Sequence, residues 1–250
     1  MYKSSFCKRI IGFETDDMER YPDVSRMVVA IDCIIFGFDG EEIKVLLIKR
    51  NFEPEKGRWS LMGGFVQEDE DLEDGAHRIL YQLTGLKNIY VEQIWTAGSV
   101  NRDPVERTIS VAYFALINID DQDKEAIRAH NAHWVSLKAC PPLIFDHDEM
   151  VRKALHFLRY KAALHPLGFE LMPDKFTIPR LQKLYEAIYG TPLDRRNFSR
   201  KILSTGLLID SGEKDEHSTT KKATLYQLDK VRYSQKFSAF WHFMPQPGVG

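Results

Sequence analysis

Several features that would fix a class at once are scarce in this chain. Only three of its 250 residues are cysteine, Cys7, Cys33 and Cys140, and no two of them form a C-x-x-C pair. An odd number at wide spacing argues against a disulfide framework or a zinc site and fits a reducing compartment. No stretch approaches the roughly 18 apolar residues of a membrane span. The leader MYKSSFCKRIIGFETDDMERY holds no apolar run of the signal-peptide kind. A cytoplasmic protein without a membrane partner is expected. A net charge of only −2 argues against a polybasic binder of nucleic acid or membrane acting through the whole molecule. Internal repeats and low-complexity tracts are also absent.

The 44% of apolar residues can supply the core of one large domain or two small ones, and two is the better reading. Charge is divided between the two ends. From Lys175 to Lys236 there are 13 Lys and Arg against 7 Asp and Glu, so this segment carries +6 and the remainder −8.

The run MVVAIDCIIFGF from Met27, the turn DGEE and the run IKVLLIKR from Ile43 read as a β-hairpin. A Gly-interrupted strand, WSLMGGFV, precedes a helix from about Asp71 to Leu83. Further strand-like runs are IYVEQIWTAG, TISVAYFALINI and AHWVSL, followed by a helix from about His147 to Leu164. Interleaved strands and helices give an α/β domain with a mixed sheet and flanking helices over residues 25–165.

The segment HPLGFELMPDKF marks a junction. Beyond it, Thr177 caps IPRLQKLYEAIY, which Gly190 ends, and Asp194 caps RRNFSRKIL. Two strand-like runs, GLLIDSG and ATLYQLD, flank the polar loop EKDEHSTTKK. Helix, turn, helix and hairpin in that order predict a C-terminal winged helix-turn-helix over residues 170–236.

On the second of these helices Phe198 and Ile202 share one side. Arg196, Asn197, Arg200 and Ser204 lie largely opposite, with Lys201 on the flank. Arg pairs bidentately with guanine and Asn with adenine, so this face suits base readout in a major groove. DNA-binding candidates are therefore Arg195, Arg196, Asn197, Arg200 and Lys201, with Lys214, Lys221 and Lys222 of the hairpin loop positioned for phosphates. The plainer alternative is a solvated basic face on a small docking domain.

The stretch RWSLMGGFVQEDEDLEDGAHRILYQLTGL, residues 58–86, resembles the Nudix box. That motif runs Gly, five residues, Glu, seven residues, then Arg-Glu-U-x-Glu-Glu-x-Gly-U, with U bulky and aliphatic. Gly64, Glu70, Arg78, Leu80, Gly85 and Leu86 match, whereas Ile79, Gln82 and Leu83 stand where the motif has its three following Glu residues. Carboxylates at those spacings would converge on one helix face and hold Mg²⁺. Ile, Gln and Leu cannot. Ile79 and Leu83 are expected to join Leu72, Ala76 and Leu80 in an apolar stripe. The acidic run from Glu68 to Asp74 reads as a solvated loop entering a helix N-terminus, with Asp71 able to cap. No catalytic residue, metal or cofactor is expected.

A Nudix-like domain joined to the segments FELMP, LQKLYEAI and DRRNFSRKIL is similar to the Nudix-related transcriptional regulators over nearly the whole chain. The resemblance implies a homodimer that binds operator DNA through the winged helix and senses a small-molecule effector in the Nudix fold. With its degenerate box the chain looks like the sugar-responsive branch, so a repressor of L-arabinose utilisation is expected. Asp32, Lys49, Arg102 and Asp103 would hydrogen-bond a sugar, Gly64 would bring backbone close to it, and Trp95 or Phe65 would offer an apolar platform. For each of these the plainer alternative is a surface salt bridge or a core aromatic. Competing readings are a Nudix hydrolase of substrates such as ADP-ribose, an ADP-ribose-sensing regulator of NAD metabolism, and a scaffold that does not bind DNA.

Overall fold

The run from Val28, apolar apart from Asp32 and Gly37, is long because both of its faces are covered. In the computed structural model, which describes residues 25–87, 89–119, 124–164, 169–215 and 223–241, it forms strand β1 (Val28–Phe38). Strand β1 pairs in parallel with β6 (Thr108–Asn118) along its whole length, and antiparallel with β2 (Ile43–Lys49) and β4 (Met62–Phe65). Strand β3 (Trp59–Ser60) and β7 (Ala132–Ser136) flank β2, and β5 (Glu92–Ala97) closes the far edge beside β6. The result is a seven-stranded mixed sheet.

Alternation along β1 sends side chains to two opposite cores. Ile31, Cys33 and Ile35 bury against Ala76, Ile79 and Leu80 of helix α1 (Leu72–Thr84) and against Ile127 of the short helix α2 (Lys124–Ala129). Ile34, Phe36 and Phe38 face the other way, toward Ala154 and Leu158 of α3 (His147–Leu164). This second core does not end at the junction. It runs on through Phe169, Leu171 and Phe176 to Leu181, Leu184 and Ile188 of α4 (Ile178–Tyr189) and Ile202 of α5 (Arg195–Ser204).

The C-terminal half is a winged helix following the mixed-sheet domain, as the element order predicts. Thr177 accepts a hydrogen bond from the Arg180 backbone at 3.3 Å and caps α4, and Gly190 ends it at φ 71°. Asp194 accepts from the Asn197 backbone at 2.8 Å and caps α5. The wing joins β9 (Leu208–Lys214) to β10 (Thr224–Leu228), with β8 (Phe176–Thr177) on the other edge of β10. Helix α6 (Lys230–Trp241) follows. Two expectations need correction. Leu72 is 37% exposed and lies off the buried stripe of α1, and Asp71 occupies the cap position of α1 without a side-chain capping bond.

Candidate functional site

The loop between β4 and α1 is held by the residues that match the Nudix pattern. Arg78 makes a two-pronged pair with Glu70, Nε to Oε2 at 2.7 Å and Nη2 to Oε1 at 2.6 Å, and Nη2 also donates to the Phe65 carbonyl at 2.9 Å. The Gln67 backbone donates to Glu70 at 2.9 Å. These bonds hold the Glu70 carboxyl down to about 2, the guanidinium being the larger cause. Ile79 is buried against Gly64, where an added Cβ would stand 2.9 Å from the Ile79 side chain. Gln82 accepts from Arg78 at 3.2 Å. The carboxylate that remains is thus a structural clamp.

A cavity of about 310 Å³ opens beside this loop. Lys49, Gly64, Phe65, Asp32, Arg102 and Asp103 all line it, and so does Leu83. Trp95 does not. It sits on β5 at a register shift, packed against the second core with the Lys153 ammonium 5.6 Å from its ring. It therefore offers no platform in this cavity.

Two of the lining residues play a different part from the one expected of them. Asp32 accepts from Ser110 Oγ at 2.6 Å and from Arg102 Nη2 at 3.2 Å, while its other oxygen lies 3.5 Å from His147 Nε2. Arg102 reaches on to Asp146 through Nε at 3.0 Å and Nη2 at 2.8 Å. With side chains 3% and 5% exposed, Arg102 and Asp32 spend their charges on each other and on Asp146. They fix the wall of the cavity and do not stand ready for ligand hydroxyls. Gly63 belongs to the same arrangement: a Cβ there would fall 2.3 Å from Asp32 Oδ1.

His147 completes the network from the first turn of α3. Its Nδ1 accepts from the Leu61 backbone at 3.1 Å, so in the neutral ring the proton sits on Nε2, toward Asp32. Burial lowers its pKa, Asp32 and Asp146 oppose that shift, and Arg102 and Arg50 add to it.

The mouth holds residues to which sequence reasoning gave no role. Arg50 Nε donates to the Phe52 carbonyl at 3.1 Å and the Pro54 carbonyl at 2.6 Å, and its guanidinium lies 3.7 Å from the centre of the Phe52 ring. Phe145 lies 5.5 Å from the same group with its backbone at φ 51°, a conformation rare for a bulky side chain. Arg50 directly follows the end of β2, a signal visible in the sequence. Phe145, Asp146 and His147 arrive from nearly 100 residues downstream, and no local pattern marks them.

On the winged helix, Arg195, Arg196, Asn197, Arg200 and Lys201 are all exposed along α5, and Arg200 Nη2 donates to Asn197 Oδ1 at 2.8 Å. The inward side is held by Ile202, 6% exposed, and by Phe198, whose ring centre is 5.4 Å from that of Tyr185. Lys214 is the last residue of β9 and not a loop residue, and its Nζ donates to Thr224 at 2.7 Å. Lys221 and Lys222 lie outside the described residues. Among the described residues no helix is long and apolar enough to cross a membrane.

Comparison with known proteins agrees with this two-part design. Residues 26–154 match the NUDIX domain and residues 168–228 the NrtR DNA-binding winged helix domain. The ADPR responsive transcriptional repressor NtrR of Acinetobacter baylyi is 32% identical over 219 residues, covering 86% of this chain and 87% of that one. Two structures of Shewanella oneidensis NrtR are also similar. One, with a 27mer DNA, has TM-score 0.69 at 32% identity and covers 82% of this chain and 95% of that one. The other, its NUDIX domain with ADP ribose, has TM-score 0.51 at 30% identity and covers 56% and 94%. The ADP-ribose pyrophosphatase of Methanocaldococcus jannaschii is 31% identical over 161 residues, 64% of this chain and 89% of that protein. One of these regulators is named as ADPR responsive and the NUDIX domain of the other was solved with ADP ribose, which overturns the expectation of an arabinose-responsive branch and of a regulator of sugar utilisation. The chain belongs to the NrtR-like family of Nudix-related transcriptional regulators.

Proposed function

We propose that this protein is a DNA-binding repressor whose operator affinity is lowered by ADP-ribose, bound in the cavity of the Nudix domain without being hydrolysed. Residues 25–165 take the effector, residues 170–236 bind the operator, and two copies act together on paired half-sites. One observation carries the reading. The Nudix loop and helix are kept as a clamped wall of a cavity, while Ile79 and Leu83 fill positions that would carry catalytic carboxylates. A site that binds and does not turn over can report occupancy, provided the ligand favours one arrangement of the protein over another. The relatives named for an ADP-ribose response and for complexes with DNA and with ADP ribose support the choice of ligand.

The test uses a labelled duplex selected by the protein from a random pool, with fluorescence anisotropy as the readout. ADP-ribose is expected to release the duplex, and arabinose, xylose and glucose to leave it bound. Unchanged operator affinity at saturating ADP-ribose would refute the proposal.

A further inference from the structure

The geometry points to a metal-free mode of effector recognition, in which Lys49 and Arg50 neutralise the diphosphate of a nucleoside-diphosphate ligand and no divalent cation takes part. This rests on the effector reading above and assigns the residues and the chemistry that it leaves open. A diphosphate carries negative charge that must be offset when it leaves water. In the Nudix pattern the carboxylates that follow the motif arginine would gather Mg²⁺ for that purpose.

The residues present here do not fit a divalent ion. Ile79 is seated on Gly64, and Leu83 is itself part of the cavity wall. Gln82 is neutral and bound to Arg78, and both Glu70 oxygens are taken by that same guanidinium. Among the described residues no three His, Cys, Asp or Glu side chains come together in a way that could hold a metal.

Two cations remain at the mouth. Arg102 is not one of them, because Asp32 and Asp146 already flank it. Arg50 is fixed through Nε and through the face of Phe52, and among the described residues neither of its Nη atoms is engaged in a hydrogen bond or ion pair. Its planar fork is therefore oriented in advance with both Nη groups, four N–H donors, left over, the geometry that suits phosphate oxygens. Lys49 next to it is exposed, its ammonium 5.2 Å from the Trp59 ring. A fixed guanidinium and an exposed ammonium on adjacent residues supply the charge that a metal would bring. They supply no bound water to attack the phosphorus, so binding is separated from hydrolysis.

Calorimetric titration of ADP-ribose into the full-length protein decides the matter, once in EDTA and once in Mg²⁺. The expected result is one Kd in both buffers, weakened at least about tenfold in the Lys49→Ala, Arg50→Ala double variant, the scale of a lost charge-assisted hydrogen bond. Arg50→Lys should recover only part of the loss, because an ammonium cannot make the two-pronged contact. A thermal melt of each variant checks that it folds, and exposed Lys49→Ala alone provides a second reading if Arg50→Ala does not. ADP-ribose binding that is lost in EDTA, or that survives in the folded double variant, overturns this inference and leaves the effector reading intact. No binding to the wild type in either buffer overturns both.

Discussion

Arg159 of α3 donates its Nε–H to the carbonyl of Ile188 in the last turn of α4, at 2.7 Å. The bond satisfies one of the carbonyls that a helix end leaves without an internal partner, and it does so across the junction between the two halves. Beside it the apolar contacts are continuous, with Leu158 and Ala162 on one side and Leu181, Leu184 and Ile188 on the other. The two halves should therefore unfold as one unit. Leu184→Ala is expected to cost about 2 to 5 kcal/mol and Arg159→Ala about 1 kcal/mol, with a single transition in urea monitored by fluorescence and by far-UV circular dichroism. Two separated transitions in the wild type would show that the shared core does not couple the halves.

Arg102 offers a sharper test of the cavity wall. Removing it leaves Asp32, at 3% exposure, without its principal counter-charge and Asp146 without both of its bonds. Arg102→Ala is expected to destabilise the protein by about 3 to 5 kcal/mol, the cost of an orphaned buried charge. The Arg102→Ala, Asp32→Asn double variant should recover part of that loss, because the orphaned carboxylate has gone. Denaturant midpoints measure both, and additive losses would mean that the two residues act independently.

His147 gives the stability a pH dependence of definite sign. Burial depresses its pKa in the folded protein, and Nδ1 already accepts from the Leu61 backbone, so protonation would set two donors against each other. The unfolded chain protonates its histidine near about pH 6.5. Below that pH the unfolded state binds the extra proton and the folded state resists it, so stability falls as pH falls and is fully present above it. Melting temperatures from pH 8 to pH 5 should drop more steeply for the wild type than for His147→Gln. Parallel curves would remove His147 from the account.

The basic helix separates reading from holding. Arg196→Ala and Arg200→Ala are each expected to weaken binding to a selected duplex by about 1 to 3 kcal/mol while hardly affecting a random one. Lys214→Ala should weaken both alike and lower the salt slope by about one counterion. The Arg200 guanidinium already rests on Asn197, so Asn197→Ala should also loosen sequence preference through Arg200. Anisotropy titrations at fixed salt give the affinities. Equal losses on selected and random duplexes for the arginine variants would mean that α5 contacts only phosphate.

Much of the architecture was legible because it is written in local chemistry. The largely apolar run at Val28 marked the first strand of a hairpin, and Thr177, Gly190 and Asp194 marked helix ends with side chains and backbone freedom suited to that task. What escaped depends on residues distant in sequence. Strand β8 is two residues long and owes its existence to β10, about 50 positions later. The network of Asp32, Arg102, Asp146 and His147 gathers a strand, two loops and the start of a helix, and each member read alone looks like a surface charge. Trp95 looked available as a ligand platform, but a register shift in β5 and the second core claim it. The nature of the effector was not legible either, since an emptied metal site shows which chemistry is lost and not which ligand remains.

The packing of Ile79 on Gly64 bears on how such a protein changes over evolutionary time. A carboxylate placed at position 79 would be buried, without a cation, where Ile79 is 2% exposed and packed on Gly64. Such a carboxylate costs several kcal/mol until a metal arrives, roughly as much as a marginally stable domain can lose. A metal would need positions 82 and 83 changed as well, so the first step toward an enzyme is penalised before the third can be rewarded. Substitution one residue at a time therefore meets a folding penalty first, because a single carboxylate here costs stability before a metal could offset it.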